Sequence, residues 1–533
     1  MNDLRLTGAR VIDGTGAPGR RADVAVAGGR IVAVADDAEA PAARTVDLDG
    51  LVLAPGFIDL HTHVDFTLPC YPRAAAMVRQ GVTTLVGGNC GFSPFPVVAD
   101  HADDLRDLVA FIDAGLSWDW SDADGYLTHV ASRPLACNLA QLVGHGAVRI
   151  AVLGFEARAP RPDELDRMRT LVDDALRAGA FGLSTGLVYA PGSHADTDEL
   201  VALAEVAAAR GRFYVSHIRS EGDDSVDAVA EALEIGRRTG AAVQLSHHKA
   251  MGRANWGKVG QTLAMIDDAR ADGLDVTADH YPYVAASTTL SNLLPAWARE
   301  DGLDGMLAIF EDPERRERLA TEVRAGASDY DLDQVMVSAV PDGANAAATG
   351  RMLVDVARDA AEQPTDALFR LLAEERDRVQ MVVFGMDEDD VRTVMAHPQV
   401  AVASDGWTLD PDAAGTPHPR SYGTYVRVLG EYVREQGVLR LEEAIRKMTS
   451  LPAARLGRGR RPSGHRDDLG VIRAGARADL VAFDPARVAD TATFEAPHQF
   501  AVGVEQVIVD GQVVIDGGDD TGVEAGSVLR ATS

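Results

Sequence analysis

The stretch Gly56-Phe57-Ile58-Asp59-Leu60-His61-Thr62-His63 decides how the rest of this chain is read. An apolar run, Leu51–Asp59, leads directly into two histidines one residue apart. In an extended segment residues two apart point the same way, so His61 and His63 can approach one metal ion together. The same grammar recurs down the chain: a short apolar run ends in polar or metal-capable residues, and a helical stretch usually follows. The further runs are Gly81–Asn89, Asn138–Gly144, Ala180–Tyr189, Arg212–His217, Ala241–His247, Asp275–Tyr281 and Gln399–Asp405. Between them, Pro162–Ala178 lines up Leu165, Met168, Val172 and Ala175 on one helical face and stops at Gly179. Ser225–Thr239 does the same with Val226, Val229, Ala230 and Leu233, ending before Gly240. Eight such strands alternating with helices predict an α/β fold, a (β/α)8 TIM barrel.

The two ends follow a different pattern. Leu6–Ile12, Asp23–Val26 and Arg30–Val34 near the start, and Asp479–Phe483 and Gln506–Ile515 near the end, are short runs separated by turns. Asp510-Gly511 predicts a tight hairpin. Together they predict a small antiparallel β-sandwich formed by both termini, residues 1–50 and 461–533, around a catalytic barrel of residues 51–460. The interval from Ala285 to Pro398 is far too long for one barrel connection. Its first part, about 285–345, reads as an inserted lobe over the barrel mouth.

Bulk properties narrow the function. The 533 residues carry 81 Asp plus Glu against 51 Lys plus Arg, a formal charge of −30. Nucleic acid and anionic membranes both need a basic footprint, so neither is expected as a partner. No apolar run is long enough to cross a bilayer, and the opening residues do not resemble a signal peptide. Three cysteines, Cys70, Cys90 and Cys137, do not suggest a disulfide framework, which points to a reducing cytoplasm.

Active sites of such barrels sit at the carboxyl ends of the strands. Here the second strand ends in Asn89-Cys90-Gly91, the fifth in Ser216-His217, the sixth in Ser246-His247-His248-Lys249 and the eighth in Ser404-Asp405-Gly406. With His61 and His63 these bring metal-capable groups from five strand ends to one rim. Imidazole and thiolate favour zinc over magnesium or calcium, which prefer oxygen ligands. Zinc lowers the pKa of water to about 7 and polarises a carbonyl oxygen, which suits amide hydrolysis. Asp405 is placed to take the proton of the attacking water and return it to the departing nitrogen. His145 and His280, near strand ends, could line the pocket. His101, His129, His194, His397, His418, His465 and His498 read as structural or surface residues. Gly182-Leu183-Ser184-Thr185-Gly186 has the letters of a serine-hydrolase elbow, but Pro191-Gly192 breaks the helix that an elbow requires.

Gly56–His63 resembles the opening signature of the amidohydrolase superfamily, and Gly470–Val481 resembles its return into the sandwich. Within it, Gly88-Asn89-Cys90-Gly91, Ser184–Gly192, Ser246-His247-His248-Lys249 and Tyr281-Pro282-Tyr283 resemble the N-acyl-D-amino-acid deacylases (D-aminoacylases). Relatives of the hydantoinase and dihydroorotase kind bridge two metals with a carboxylated lysine on the fourth strand, where this chain has none. The resemblance implies a tight zinc site of Cys90, His217 and His247, and a second, weaker site at His61 and His63. It selects His247 over His248 as the ligand. It also implies that Lys249, Tyr281 and Tyr189 grip the α-carboxylate of the substrate. The expected reaction is hydrolysis of N-acyl-D-amino acids, with an apolar D-side chain preferred because the lobe has few basic residues aimed inward. Rival readings are a cyclic-amide hydrolase, a D-residue dipeptidase and a catalytically dead barrel scaffold.

Overall fold

In a computed structural model of the chain, the described residues are 2–36, 41–326, 330–340, 343–409, 412, 415–457 and 469–532. The boundary expected at 460–461 and His465 lie outside them.

Eight parallel strands close into a barrel. In chain order they are Phe57–Asp59, Val82–Gly87, Asn138–Gln141 continued by Val143–Gly144, Gly182–Gly186, Phe213–His217, Val243–Leu245, Val276–His280 and Val400–Val402. The fourth to eighth pair in sequence order, as do the first three. The third and fourth strands join through Leu183 opposite Val143, and the Phe181 amide donates to the Gln141 carbonyl. The first and eighth meet at their carboxyl ends, where the Asp405 amide donates to the His61 carbonyl at 2.9 Å. Every residue of Val82–Gly87 and Phe213–His217 is buried, as expected for a parallel sheet covered by helices. The helices Pro162–Ala178 and Ser225–Thr239 form where their apolar spacing predicts. Both end on left-handed glycines, Gly179 and Gly240.

The leading run Leu51–Asp59 divides between two sheets. Val52–Pro55 pairs with Leu480–Phe483 in the terminal sheet, while Phe57–Asp59 enters the barrel. Gly56 makes the switch possible, since a Cβ there would lie 2.2 Å from the Thr83 side chain. The terminal sheet has nine strands drawn from both ends of the chain. It encloses a core that includes Leu6, Val24, Leu53, Leu480 and Ile508. It is not wholly antiparallel, because Asn2–Val11 runs parallel to both Ala42–Asp47 and Val52–Pro55.

Between the seventh and eighth barrel strands, Ala286–Thr289, Gln380–Val383, Val335–Ala339 and Arg351–Met352 form a separate antiparallel sheet, with helices between them. This lobe runs well past Asn345. Gln380–Val383 lies inside the sheet and pairs on both sides, a long-range pairing that local patterning does not reveal.

Candidate metal centre and substrate cavity

The carboxyl ends of the strands surround a cavity of about 360 Å³ whose lining includes His63, Cys90, His217, His247, Lys249 and Asp405. Three of the rim residues hold left-handed backbone: Cys90 at φ 53°, His247 at φ 33° and Asp405 at φ 51°. Non-glycine residues adopt this conformation at a cost, and such strain concentrates where a side chain must be aimed.

Cys90 Sγ lies 3.3 Å from His61 Nε2 and 3.4 Å from His247 Nε2. His247 Nε2 is in turn 3.0 Å from His217 Nδ1. On the other side, Asp405 Oδ1 stands 3.1 Å from His63 Nε2 and 3.5 Å from His61 Nε2. The six rim residues expected from the strand ends therefore meet in one cluster. His248 turns away and bonds Thr262 at 2.8 Å, so the sixth strand presents His247 to the cluster.

Two carboxylates behind the cluster orient its rings. His61 Nδ1 faces Asp279 Oδ1 at 3.1 Å, and His247 Nδ1 faces Glu221 Oε1 at 2.9 Å. In both rings this leaves Nε2 directed at the cluster, the arrangement typical of a ligating histidine backed by a carboxylate. Asp279 also accepts from Gln244 and from the His247 amide. Lys249 Nζ bonds Glu221 and lies 5.7 Å from the Tyr281 ring centroid. The Tyr281 hydroxyl is buried and has no hydrogen-bond partner among the described residues. Tyr189 lies three strands round the rim from Tyr281. Its hydroxyl is 3.3 Å from Thr288, and its ring packs between Phe92 and His217.

The electrostatics match the donor set. Burial opposes ionisation of Cys90, but His61 and His247 outweigh it and hold the thiol well below its usual range. Burial likewise opposes the Asp405 carboxylate, and Arg420 and His63 hold it well below the carboxylate range. Burial works against charge on His63, yet Asp405 and Cys90 raise it to about 9. A ready thiolate, a ready carboxylate and imidazoles attracted to them are what a thiophilic divalent cation would satisfy.

Neither His145 nor His280 lines this cavity. His145 Nε2 bonds Glu199 at 2.8 Å, and His280 Nδ1 meets the His248 carbonyl. Ser184, the candidate elbow serine, ties Gly88 to Gly91: its Oγ donates to the Gly88 carbonyl and accepts from the Gly91 amide. Sequence reasoning missed Glu221, Asp279 and Arg420. Asp279 had a signal, because on an extended strand it faces the same way as Tyr281. Arg420, at the start of a helix beyond the eighth strand, had none.

A barrel with a His-x-His first strand, a second-strand thiolate and an eighth-strand aspartate defines a metal-dependent hydrolase class. The chain belongs to the amidohydrolase family, whose model matches residues 44–515. It is 39% identical to a D-aminoacylase of Alcaligenes xylosoxydans xylosoxydans over 100% of this chain and 98% of that protein. An N-acyl-D-glutamate deacylase of the same organism is 41% identical over 96% of this chain and 93% of its own length. Among solved structures, the N-acyl-D-glutamate deacylase of Bordetella bronchiseptica superposes with a TM-score of 0.84. It is 37% identical over 99% of this chain and 100% of that one, and it was crystallised with zinc and a phosphonate mimic of the tetrahedral intermediate.

Proposed function

We propose that this chain hydrolyses N-acyl-D-amino acids, with zinc, to a carboxylate and a free D-amino acid. The observation that carries the reading is the convergence of Cys90, His217 and His247 with His61, His63 and Asp405 on one cavity. Cys90, His217 and His247 would hold the tight zinc ion, and His61 and His63 a weaker second one. When bound, zinc lowers the pKa of water and polarises the acyl carbonyl. Glu221 and Asp279 hold Nε2 of His247 and of His61 towards the cluster, where the metal would bind.

Asp405, kept ionised by Arg420, accepts the proton of the attacking water and delivers it to the departing nitrogen. The α-carboxylate meets Lys249 and the free hydroxyl of Tyr281, which burial keeps neutral and able to donate. Tyr189, engaged with Thr288 and the rings beside it, walls the cavity in this account and is a lesser candidate for the carboxylate.

The lobe lends Ala286, Leu294, Pro295 and Ala296 to the cavity beside Ser287, Thr288 and Asn292, and the apolar part of this wall supports an apolar D-side chain. One observation favours a second reading. Arg299, from the same lobe, also reaches the wall, although its guanidinium already bonds Leu294, Val188 and Asn292. Faster release of D-glutamate than of D-leucine from their N-acetyl derivatives would assign Arg299 to an acidic side chain. Ring opening of a hydantoin faster than either would favour a cyclic-amide hydrolase, against which the fourth strand, Gly182–Gly186, offers no bridging lysine.

No helix among the described residues is long and apolar enough to cross a membrane. We place the chain in the reducing cytoplasm, where the free thiols Cys70, Cys90 and Cys137 stay unoxidised.

A further inference from the structure

A second cavity lies beside the one at the metal cluster, across a wall that both share. Phe92, Phe111 and Tyr189, together with Asn292 and Arg299, stand between the first cavity and the second, of about 500 Å³, and both cavities use them as wall. The Phe92 ring is 6.0 Å from that of His63, 4.9 Å from Tyr189 and 5.9 Å from Phe111. Beyond the rings one side of the wall is apolar, with Leu108, Phe155, Leu303 and Met306 contributed by three separate parts of the chain, while Thr289, Ser291, Asn292, Arg299 and Asp377 make the rest polar. The exposed rim carries Asp107, Asp301 and Asp304, with Arg376 3.8 Å from Asp304. The volume lies within the range of small-molecule sites.

We propose that this second cavity is an acyl-chain site, which receives an apolar acyl group longer than acetyl. The inference rests on the deacylase reading and deepens it by naming the acyl class. Direction carries it. Lys249 and Tyr281 follow the sixth and seventh strand ends, while Phe92 and Tyr189 follow the second and fourth. A substrate whose carboxylate is held by the former and whose amide lies over the cluster sends its acyl group towards the latter. The D-side chain has its own wall of Ala286, Leu294 and Ala296, so the second cavity is left to the acyl group. Each methylene fully buried against such a wall strengthens binding about fourfold. Five aspartates against three arginines line this cavity, an acidic balance that works against an acyl group ending in a carboxylate.

The test compares kcat/KM of the zinc-loaded chain for the N-acetyl, N-octanoyl and N-succinyl derivatives of whichever D-amino acid it releases fastest. Octanoyl should exceed acetyl about tenfold or more, and succinyl should fall below acetyl. Leu303→Trp and, separately, Leu108→Trp fill the cavity from two different elements. Each should lower the octanoyl-to-acetyl ratio about tenfold. Equal rates for octanoyl and acetyl, or a ratio unchanged in both variants, would overturn the acyl site and leave the deacylase reading standing. No release from any of the three would overturn the deacylase reading and the acyl site with it.

Discussion

Asp405 and Arg420 form a buried ion pair beside the metal cluster, with Oδ2 2.7 Å from Nη1 and the two atoms off the hydrogen-bond axis. The other Asp405 oxygen faces His63, so one carboxylate is held between a fixed cation and the cluster. In this account Arg420 keeps Asp405 deprotonated and therefore able to accept a proton.

The pair keeps the proton acceptor out of the acid limb of the rate profile. Asp405 works as the carboxylate, and burial, which favours the neutral acid, is outweighed by Arg420 and His63. Asp405 should therefore stay ionised as pH falls through the ordinary carboxylate range. In Arg420→Leu the opposing cation is gone, the Asp405 pKa rises, and the acid limb of kcat/KM should move to higher pH. A pH profile of both proteins on an N-acetyl-D-amino acid reads the shift.

Asp405→Asn keeps the shape and removes the proton acceptor. Turnover should fall about 10²–10⁴-fold, the usual contribution of general acid–base catalysis. Zinc content, measured by elemental analysis, should persist.

Cys90→Ala should lose zinc on dialysis along with activity, because Cys90 Sγ touches two of the clustered histidines. Glu221→Gln is subtler. Loss of the carboxylate behind His247 should weaken zinc binding about 10–100-fold, as read by competition with a chelating dye.

Tyr281→Phe removes a buried hydroxyl that has no partner of its own. A hydrogen bond to a carboxylate contributes about 1.5–3 kcal/mol, so KM should rise about tenfold or more with a smaller change in kcat.

Away from the chemistry, Glu199 bonds both Arg149 and His145 in a buried cluster. Glu199→Leu leaves the Arg149 charge buried without its partner. It should destabilise the fold by about 3–5 kcal/mol, as read by denaturant melts.

Much of this architecture was legible in the sequence because it is written locally. Each barrel strand is a short apolar run, and each rim residue sits at the end of one, so strand position alone brings Cys90, His217, His247 and Asp405 together. The switch at Gly56, which divides one apolar run between two sheets, was not visible, since it depends on the approach of Thr83 from the next strand. The lobe was cut short for a similar reason: Gln380–Val383 earns its place by pairing across about a hundred residues of chain. Glu221 and Arg420 lie outside any strand-end motif, and only folding brings them to the cluster.

Zinc-dependent D-deacylation is read directly by measuring free amino acid released from paired N-acetyl-D- and N-acetyl-L-amino acids, before and after treatment with a chelator and after zinc is restored. Release should come from the D-series alone, be lost with the chelator and be recovered with zinc. Equal activity on the L-series, or D-series activity that survives complete removal of metal, would contradict it.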